Sequence, residues 1–162
     1  MGLKPTARYK RITDIPVSEI KEMGVTLVLA DMDNTLALWR STETVDGIED
    51  WLREASAQDV RVALFTNSKG SNADAIGERL GISVFKNAKK PFKKPLKALL
   101  NELGVSPECV LMVGDQLFTD IQLANAVGAR SVLTEPLSDR EWWATKVFNR
   151  SRERIVWRFL FK

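Results

Sequence analysis

The sequence contains no histidine and only one cysteine in 162 residues. The first absence excludes Ser-His-Asp triads, histidine-based zinc sites and phosphohistidine intermediates. The second excludes an internal disulfide and fits a reducing compartment. That cysteine, Cys109, opens the apolar run Cys109-Val110-Leu111-Met112-Val113 with no arginine nearby, a poor setting for cysteine-based phosphate chemistry. No apolar run approaches the roughly 18 to 20 residues that span a bilayer. The basic start (Lys4, Arg8, Lys10, Arg11) leads into no apolar stretch of the kind a signal peptide needs. Neither GxxxxGK nor GxGxxG occurs, so nothing points to an ATP or dinucleotide site. A general acid or base working near neutral pH must then be a carboxylate or a lysine. The expected setting is cytoplasmic.

What is present fits one globular domain over residues 1–162, with 44% hydrophobic and 28% charged residues. The net charge of +3 is uneven. Residues 139–162 hold seven Lys/Arg against three Asp/Glu, and the other 138 residues hold 17 against 18. The basicity belongs to the C-terminal segment.

After an irregular, extended-looking start, apolar β-rich runs alternate with amphipathic segments. The runs are Val25–Asp31, Val60–Thr66, Ile82–Phe85, Cys109–Gly114 and Ser131–Thr134. Between them, Ile48, Trp51, Leu52 and Ala55 recur at helical spacing, and Ser71–Leu80 is closed by Gly81. Pro91 opens a segment with Leu96, Leu99, Leu100 and Leu103 on one stripe, closed by Gly104, and a short helix around Thr119–Val127 stops at Gly128. Strand alternating with helix predicts a three-layer, Rossmann-like α/β fold with a five-stranded, mainly parallel sheet.

In such sheets functional groups gather beyond the carboxyl ends of the strands. There the sequence places Asp31 and Asp33, then Thr66-Asn67-Ser68, then the cationic Lys86-Asn87-Ala88-Lys89-Lys90-Pro91, then Gly114-Asp115. Singly these are turn and cap residues. Together, each at a strand end, they assemble one hydroxyl, one or two cations and three carboxylates on one rim. Converging carboxylates repel unless a cation neutralises them, and hard oxygen ligands without histidine or thiolate favour Mg²⁺. A carboxylate beside it can attack phosphorus, and a second can move the proton of the leaving group and then of water. A hydroxyl, backbone N–H groups and a lysine can hold the phosphoryl oxygens.

Asp31-Met32-Asp33-Asn34-Thr35-Leu36, Thr66 after Val62-Ala63-Leu64-Phe65, Lys90 before Pro91, and Gly114-Asp115-Gln116-Leu117-Phe118-Thr119-Asp120 resemble, in that order, the four motifs of the haloacid dehalogenase-like (HAD) superfamily of phosphohydrolases. The lysine-proline form is that of subclass III. The resemblance implies Asp31 as nucleophile, Asp33 as acid/base, and Thr66 and Lys90 as further catalytic residues. It implies Mg²⁺ held by the carboxylates of Asp31 and Asp115 and the backbone carbonyl of Asp33, with Asp120 behind them or bound through water. Asn34, Asn67 and Thr66 are the candidates for binding substrate. Lys94, also followed by proline, rivals Lys90 but falls inside the predicted helix. Receiver domains share this toolkit, but they place an aspartate after the third strand and the lysine after the fifth, unlike this chain.

The 34 residues between Asp31 and Thr66, and the 48 between Thr66 and Asp115, leave no room for a lid domain, so a capless form is expected. An uncapped site suits a substrate too large to enclose or a partner that supplies the lid, and an oligomer is compatible with it. In the C-terminal segment, Trp142, Trp143, Phe148, Trp157, Phe159 and Phe161 are interleaved with Arg150, Arg154 and Arg158 at helical spacing. Two readings stay open there: a last helix packed on the sheet, or an interfacial helix in peripheral contact with an anionic membrane. No nucleic-acid partner is expected.

Asp14-Ile15-Pro16 leading to Met23-Gly24-Val25, Gly114–Ile121, and Phe148-Asn149-Arg150 with Glu153-Arg154 are similar to the YqeG branch, which is related to organellar phosphatidylglycerophosphate phosphatases. The run Gln122-Leu123-Ala124-Asn125-Ala126 and Phe118 depart from the branch's commoner form. The resemblance implies a Mg²⁺-dependent phosphomonoesterase acting on a lipid phosphate, phosphatidylglycerophosphate first. The alternatives are a phosphatase for a soluble sugar phosphate, nucleotide or phosphoprotein, and a non-catalytic membrane or assembly protein that keeps a metal site.

Overall fold

The computed structural model of the chain describes residues 2–138. The basic aromatic segment 139–162, with both readings attached to it, lies outside the described residues.

Among the described residues, six parallel strands form one sheet: β1 (Ala7–Tyr9), β2 (Leu27–Ala30), β3 (Arg61–Phe65), β4 (Ser83–Phe85), β5 (Val110–Gly114) and β6 (Arg130–Thr134), in the order β1-β6-β5-β2-β3-β4. Five were expected, and β1 is the addition. It comes from the stretch read as irregular because it is three residues long and half-buried throughout, so neither alternation nor an apolar run marks it. It is nevertheless stitched to β6. Thr6 N–H donates to the Ser131 carbonyl at 2.8 Å, and Thr6 Oγ1 accepts from Ser131 N–H at 3.1 Å.

The central strand β2 is buried at every position because helices cover both faces of the sheet. Alternate side chains serve opposite layers. Val28, Ala30, Leu64, Leu111 and Val113 join Val17 and Ile20 of α1 (Val17–Glu22), Ile48, Trp51 and Ala55 of α2 (Ile48–Ala57), and Ala73 and Ile76 of α3 (Ser71–Leu80). Leu29, Ala63, Phe65 and Met112 join Leu96, Leu99 and Leu100 of α4 (Lys93–Leu103), and Leu123 and Ala124 of α5 (Gln122–Val127). The helix α1 also lies in the stretch read as irregular; six residues after Pro16 carry too few turns to show a period.

The helix after Lys90 begins at Lys93, two residues later than Pro91. Phe92 has extended backbone (φ −69°, ψ 129°), and Pro95 occupies the first turn, where a missing N–H costs no helical bond. Gly104 ends α4 in the left-handed region at φ 63°. Between β5 and α5 the chain makes a wide π-type turn, Leu117–Ile121.

Between β2 and β3 the chain is a tight loop followed by α2. Met32 carbonyl accepts from the N–H groups of Thr35, Leu36 and Ala37, and short bridges join Asp33 to Ala37 and Ala37 to Thr44. The Arg79 guanidinium ties the loop to α3 by donating to the Thr42 carbonyl and Thr44 Oγ1. No helix among the described residues is long and apolar enough to cross a membrane.

Candidate active site

Strand register brings Asp31, Thr66 and Asp115 together. Ala30 pairs with Leu64 on one side and Val113 on the other. Asp31 therefore lies one step beyond the paired ends, and Thr66 and Asp115 two steps beyond their partners, on the same rim. Asp31, Thr66, Lys90, Asp115 and Asp120 are all buried.

The cation of the site is Lys90, with a side chain only 2% exposed. Its ammonium lies 2.7 Å from Asp31 Oδ1 and 2.7 Å from Asp120 Oδ1. Burial alone lowers a lysine pKa; here Asp120 and Asp31 outweigh it and hold the Lys90 pKa above its ordinary value. Lys94, the rival lysine, is exposed on α4. Lys90 is held through its backbone, since Asn67 Oδ1 accepts from its N–H at 2.7 Å and Asn67 Nδ2 donates to its carbonyl at 3.1 Å. The structure thus uses the Asn67 amide to position Lys90, a contact that sequence spacing does not reveal.

Burial pushes the Asp120 carboxyl up to about 6, against the opposing pull of Lys90 and with Asp31 adding to the rise. Its second oxygen accepts from Gln116 N–H at 3.3 Å. The π-type turn swings Asp120 beneath the end of β5, where Gly114 makes room. A Cβ on Gly114 would sit 2.1 Å from Asp120 Oδ2.

One carboxylate oxygen each from Asp31, Asp115 and Asp120 lies within 4.8 Å of the other two. Three buried oxygens of this kind, with no histidine or thiolate, fit a hard divalent cation, and a cation there would also reverse the rise at Asp120. Asp120 comes closer to this cluster than its expected place behind the ligands, but both of its oxygens are already engaged by Lys90 and Gln116. The Asp33 carboxylate is not part of the cluster. It is half-buried, accepts from Arg40 N–H at 3.0 Å, and its pKa is raised chiefly by burial, with that hydrogen bond opposing.

Asn34 takes a left-handed backbone conformation at φ 62°, and its Oδ1 accepts from Ser138 Oγ at 2.8 Å and Ser138 N–H at 3.3 Å. Thr66 Oγ1 accepts from Ser68 N–H at 3.1 Å. A cleft of about 130 Å³ opens over these groups, lined by Asp31, Asp33, Asn34, Thr66 and Lys90. Sequence reasoning gave no role to four further lining residues, Trp39, Ser68, Gln116 and Thr119. Gln116 and Thr119 lie within a recognised motif, whereas nothing in the sequence marks Trp39. A larger cavity of about 870 Å³ lies at the opposite end of the strands, where Thr26, Arg61 and Ser83 begin them. It shares no lining residue with the cleft over Lys90.

A sequence profile of haloacid dehalogenase-like hydrolases matches residues 7–128. The chain belongs to the haloacid dehalogenase-like hydrolase family and is one of its phosphatases, as the four motifs imply. A Bacillus subtilis protein described as a probable phosphatase, YqeG, is 28% identical over 152 residues, covering 94% of this chain and 88% of that protein. A chloroplastic/mitochondrial phosphatidylglycerophosphate phosphatase 1 from Arabidopsis thaliana is 30% identical over 146 residues, 85% of this chain; the match spans only 42% of the plant protein. Among solved structures, a hypothetical protein from Xanthomonas campestris superposes with a TM-score of 0.58 at 25% identity, covering 86% of this chain and 79% of that one.

Proposed function

We propose that the chain is a Mg²⁺-dependent phosphomonoesterase that works through an aspartyl-phosphate on Asp31, with phosphatidylglycerophosphate as its substrate. The observation that carries the reading is the buried Lys90, braced between Asp31 and Asp120, with Asp115 completing the acidic cluster. Asp31 and Asp115 would hold the cation with the Asp33 carbonyl, and the cation would neutralise charge on the phosphoryl oxygens.

Asp31 attacks phosphorus, the ester oxygen leaves, and Asp33 supplies the proton that this oxygen takes up. Asp33 then accepts a proton from the water that cleaves the acyl phosphate, which frees Asp31 and releases inorganic phosphate. The raised pKa of Asp33 suits a carboxyl that must begin as an acid. Lys90 fixes the orientation of Asp31 and stabilises charge on the transferring group together with Thr66.

Three features support a lipid substrate. The cleft over Lys90 is small, about 130 Å³, and suits a phosphoryl group. The intervals around it are filled by a loop, helices and a strand of the fold itself, so the rest of the substrate can stay outside. Two residues past Lys90, Phe92 is 69% exposed beside Lys93, Lys94 and Lys97, a basic aromatic surface of the kind that meets anionic bilayers. The plant relative's name points the same way.

The test is phosphate release from phosphatidylglycerophosphate and from a panel of soluble phosphate esters, with Mg²⁺ and with chelator. The expected result is Mg²⁺-dependent release with the lipid preferred. A strong preference for soluble esters removes the lipid assignment and leaves the phosphatase.

A further inference from the structure

The phosphoryl cleft is not isolated. A second cleft of about 540 Å³ adjoins it, lined by Met32, Asp33, Trp39, Arg40, Ser68, Gly70 and Asn72. Asp33, Trp39 and Ser68 line both. This deduction rests on the reading above, in which Asp33 delivers its proton to the leaving oxygen. Asp33 lines the larger cleft and Asp31 does not, so the leaving group that Asp33 protonates has its seat there.

Among the described residues lining that seat, Arg40 is the only cation. It forms no ion pair among the described residues, and its guanidinium stands over the Trp39 ring at 4.7 Å from the centroid. Its backbone is committed to one arrangement, with φ at 52° in the left-handed region and its N–H bound to Asp33 Oδ1. Its charge acts on the nearby Asp33 carboxylate, but no carboxylate among the described residues lies within ion-pair distance, so the guanidinium laid on the indole face still offers a planar, bidentate donor set for a phosphate oxygen pair. Arg40 is exposed, and its place is what sets it apart from other surface arginines: it lines a cleft that shares Asp33, Trp39 and Ser68 with the phosphoryl site.

We propose that Arg40, laid on Trp39, reads a second anionic phosphate carried by the leaving group, so that the site selects phosphomonoesters that also bear a phosphodiester or second phosphate nearby. A glycerol bridge between two phosphates, whether free or in a lipid headgroup, has this chemistry. An ester with a neutral leaving group enters the same phosphoryl cleft and leaves Arg40 unused.

Binding is read first, on the full chain with Mg²⁺, using a pair that cannot be hydrolysed: propane-1,3-bisphosphonate and propylphosphonate. The wild type is expected to bind the bisphosphonate at least about tenfold more tightly, in line with one charge-assisted bidentate contact. Arg40→Gln should erase most of that ratio while leaving propylphosphonate binding unchanged, and Arg40→Lys should restore part of it. Equal affinity of the wild type for the two ligands, or an unchanged ratio in Arg40→Gln, overturns the proposal. So does an equal loss for both ligands, which marks a structural role through Asp33.

Turnover then separates the two sources of the second phosphate. Glycerol 1,3-bisphosphate and a short-chain phosphatidylglycerophosphate are compared with p-nitrophenyl phosphate. A KM rise in Arg40→Gln on either bisphosphorylated substrate that exceeds any change on p-nitrophenyl phosphate supports the proposal and shows which source the seat accepts. Failure of the wild type to release phosphate from any of the three defeats the phosphatase mechanism instead, while the binding ratio still decides the role of Arg40.

Discussion

Asn67 grips the backbone of Lys90 from both sides, accepting from its N–H at 2.7 Å and donating to its carbonyl at 3.1 Å. The two residues are 23 positions apart, so the contact fixes the loop after β4 against the loop after β3. Asn67→Ala removes both bonds and lets the lysine backbone drift. Displacements near 1 Å in a reacting group cost up to about 100-fold. The expected outcome is a fall in kcat of about 10- to 100-fold on p-nitrophenyl phosphate, with KM changed less. Steady-state kinetics beside a thermal melt separate this from loss of fold.

Asp31→Asn should abolish phosphate release while leaving the far-ultraviolet circular dichroism spectrum unchanged, because an amide of the same shape occupies the same place but is a poor nucleophile. Normal turnover in this variant would sink the covalent mechanism.

Lys90 neutralises two buried carboxylates. Lys90→Met leaves Asp31 and Asp120 facing each other without that charge, and breaking a buried pair in this way costs about 3 to 5 kcal/mol. Adding Asp120→Asn to the same chain removes one of the stranded charges and should recover part of the loss. A double-mutant cycle by denaturant unfolding, in chelator, measures the coupling. Independent, additive effects would contradict the bridge.

Metal removal gives a readout apart from activity. If Asp31 and Asp115 hold the cation with the Asp33 carbonyl, Mg²⁺ binds the folded chain and raises its melting temperature, by linkage. Asp115→Asn should blunt that rise and abolish turnover. Equal melting temperatures in chelator and in millimolar Mg²⁺ for the wild type would count against the cluster as a metal centre.

Gly114→Ala places a methyl group where the Asp120 carboxylate lies, 2.1 Å from its nearest oxygen and 2.6 Å from its Cβ. Neither backbone nor a buried, doubly bonded carboxylate can yield at small cost, so the change should destabilise the chain by about 1 to 3 kcal/mol, the usual cost of overpacking. Because the displaced carboxylate is a partner of Lys90, kcat should fall with it. A chemical melt and a p-nitrophenyl phosphate assay on the soluble fraction check both.

Much of this site is written along the chain in order. The aspartate pair, Thr66, Lys90 and Asp115 each follow a strand whose apolar run is plain, and parallel pairing then leaves only one rim for them. The hydrogen bonds of Asn67 are not legible, because they depend on how two loops meet across 23 residues. Trp39 and Arg40 escape for a similar reason: a tight loop held by backbone bonds to Met32 decides where they point, and no residue pattern announces it. In the fold, β1 and α1 are too short to show a period. The sheet edge and the first helix are recovered only from the tertiary contacts that hold them.

The pairing of β1 with β6 also carries a consequence for how the molecule is made. Thr6 and Ser131, which bond to each other, stand 125 positions apart. A chain emerging from the ribosome at about 5 to 20 residues per second must keep its first strand waiting until its last described strand appears. Closure over so long a loop adds little free energy beyond that of a moderately shorter one, but it comes late. Until it does, β6 presents an open row of N–H and C=O groups to any strand nearby. β1, made before β6, therefore covers that side of β6 only after β6 has emerged, and a change that removes β1 acts on association during synthesis before it acts on the finished site.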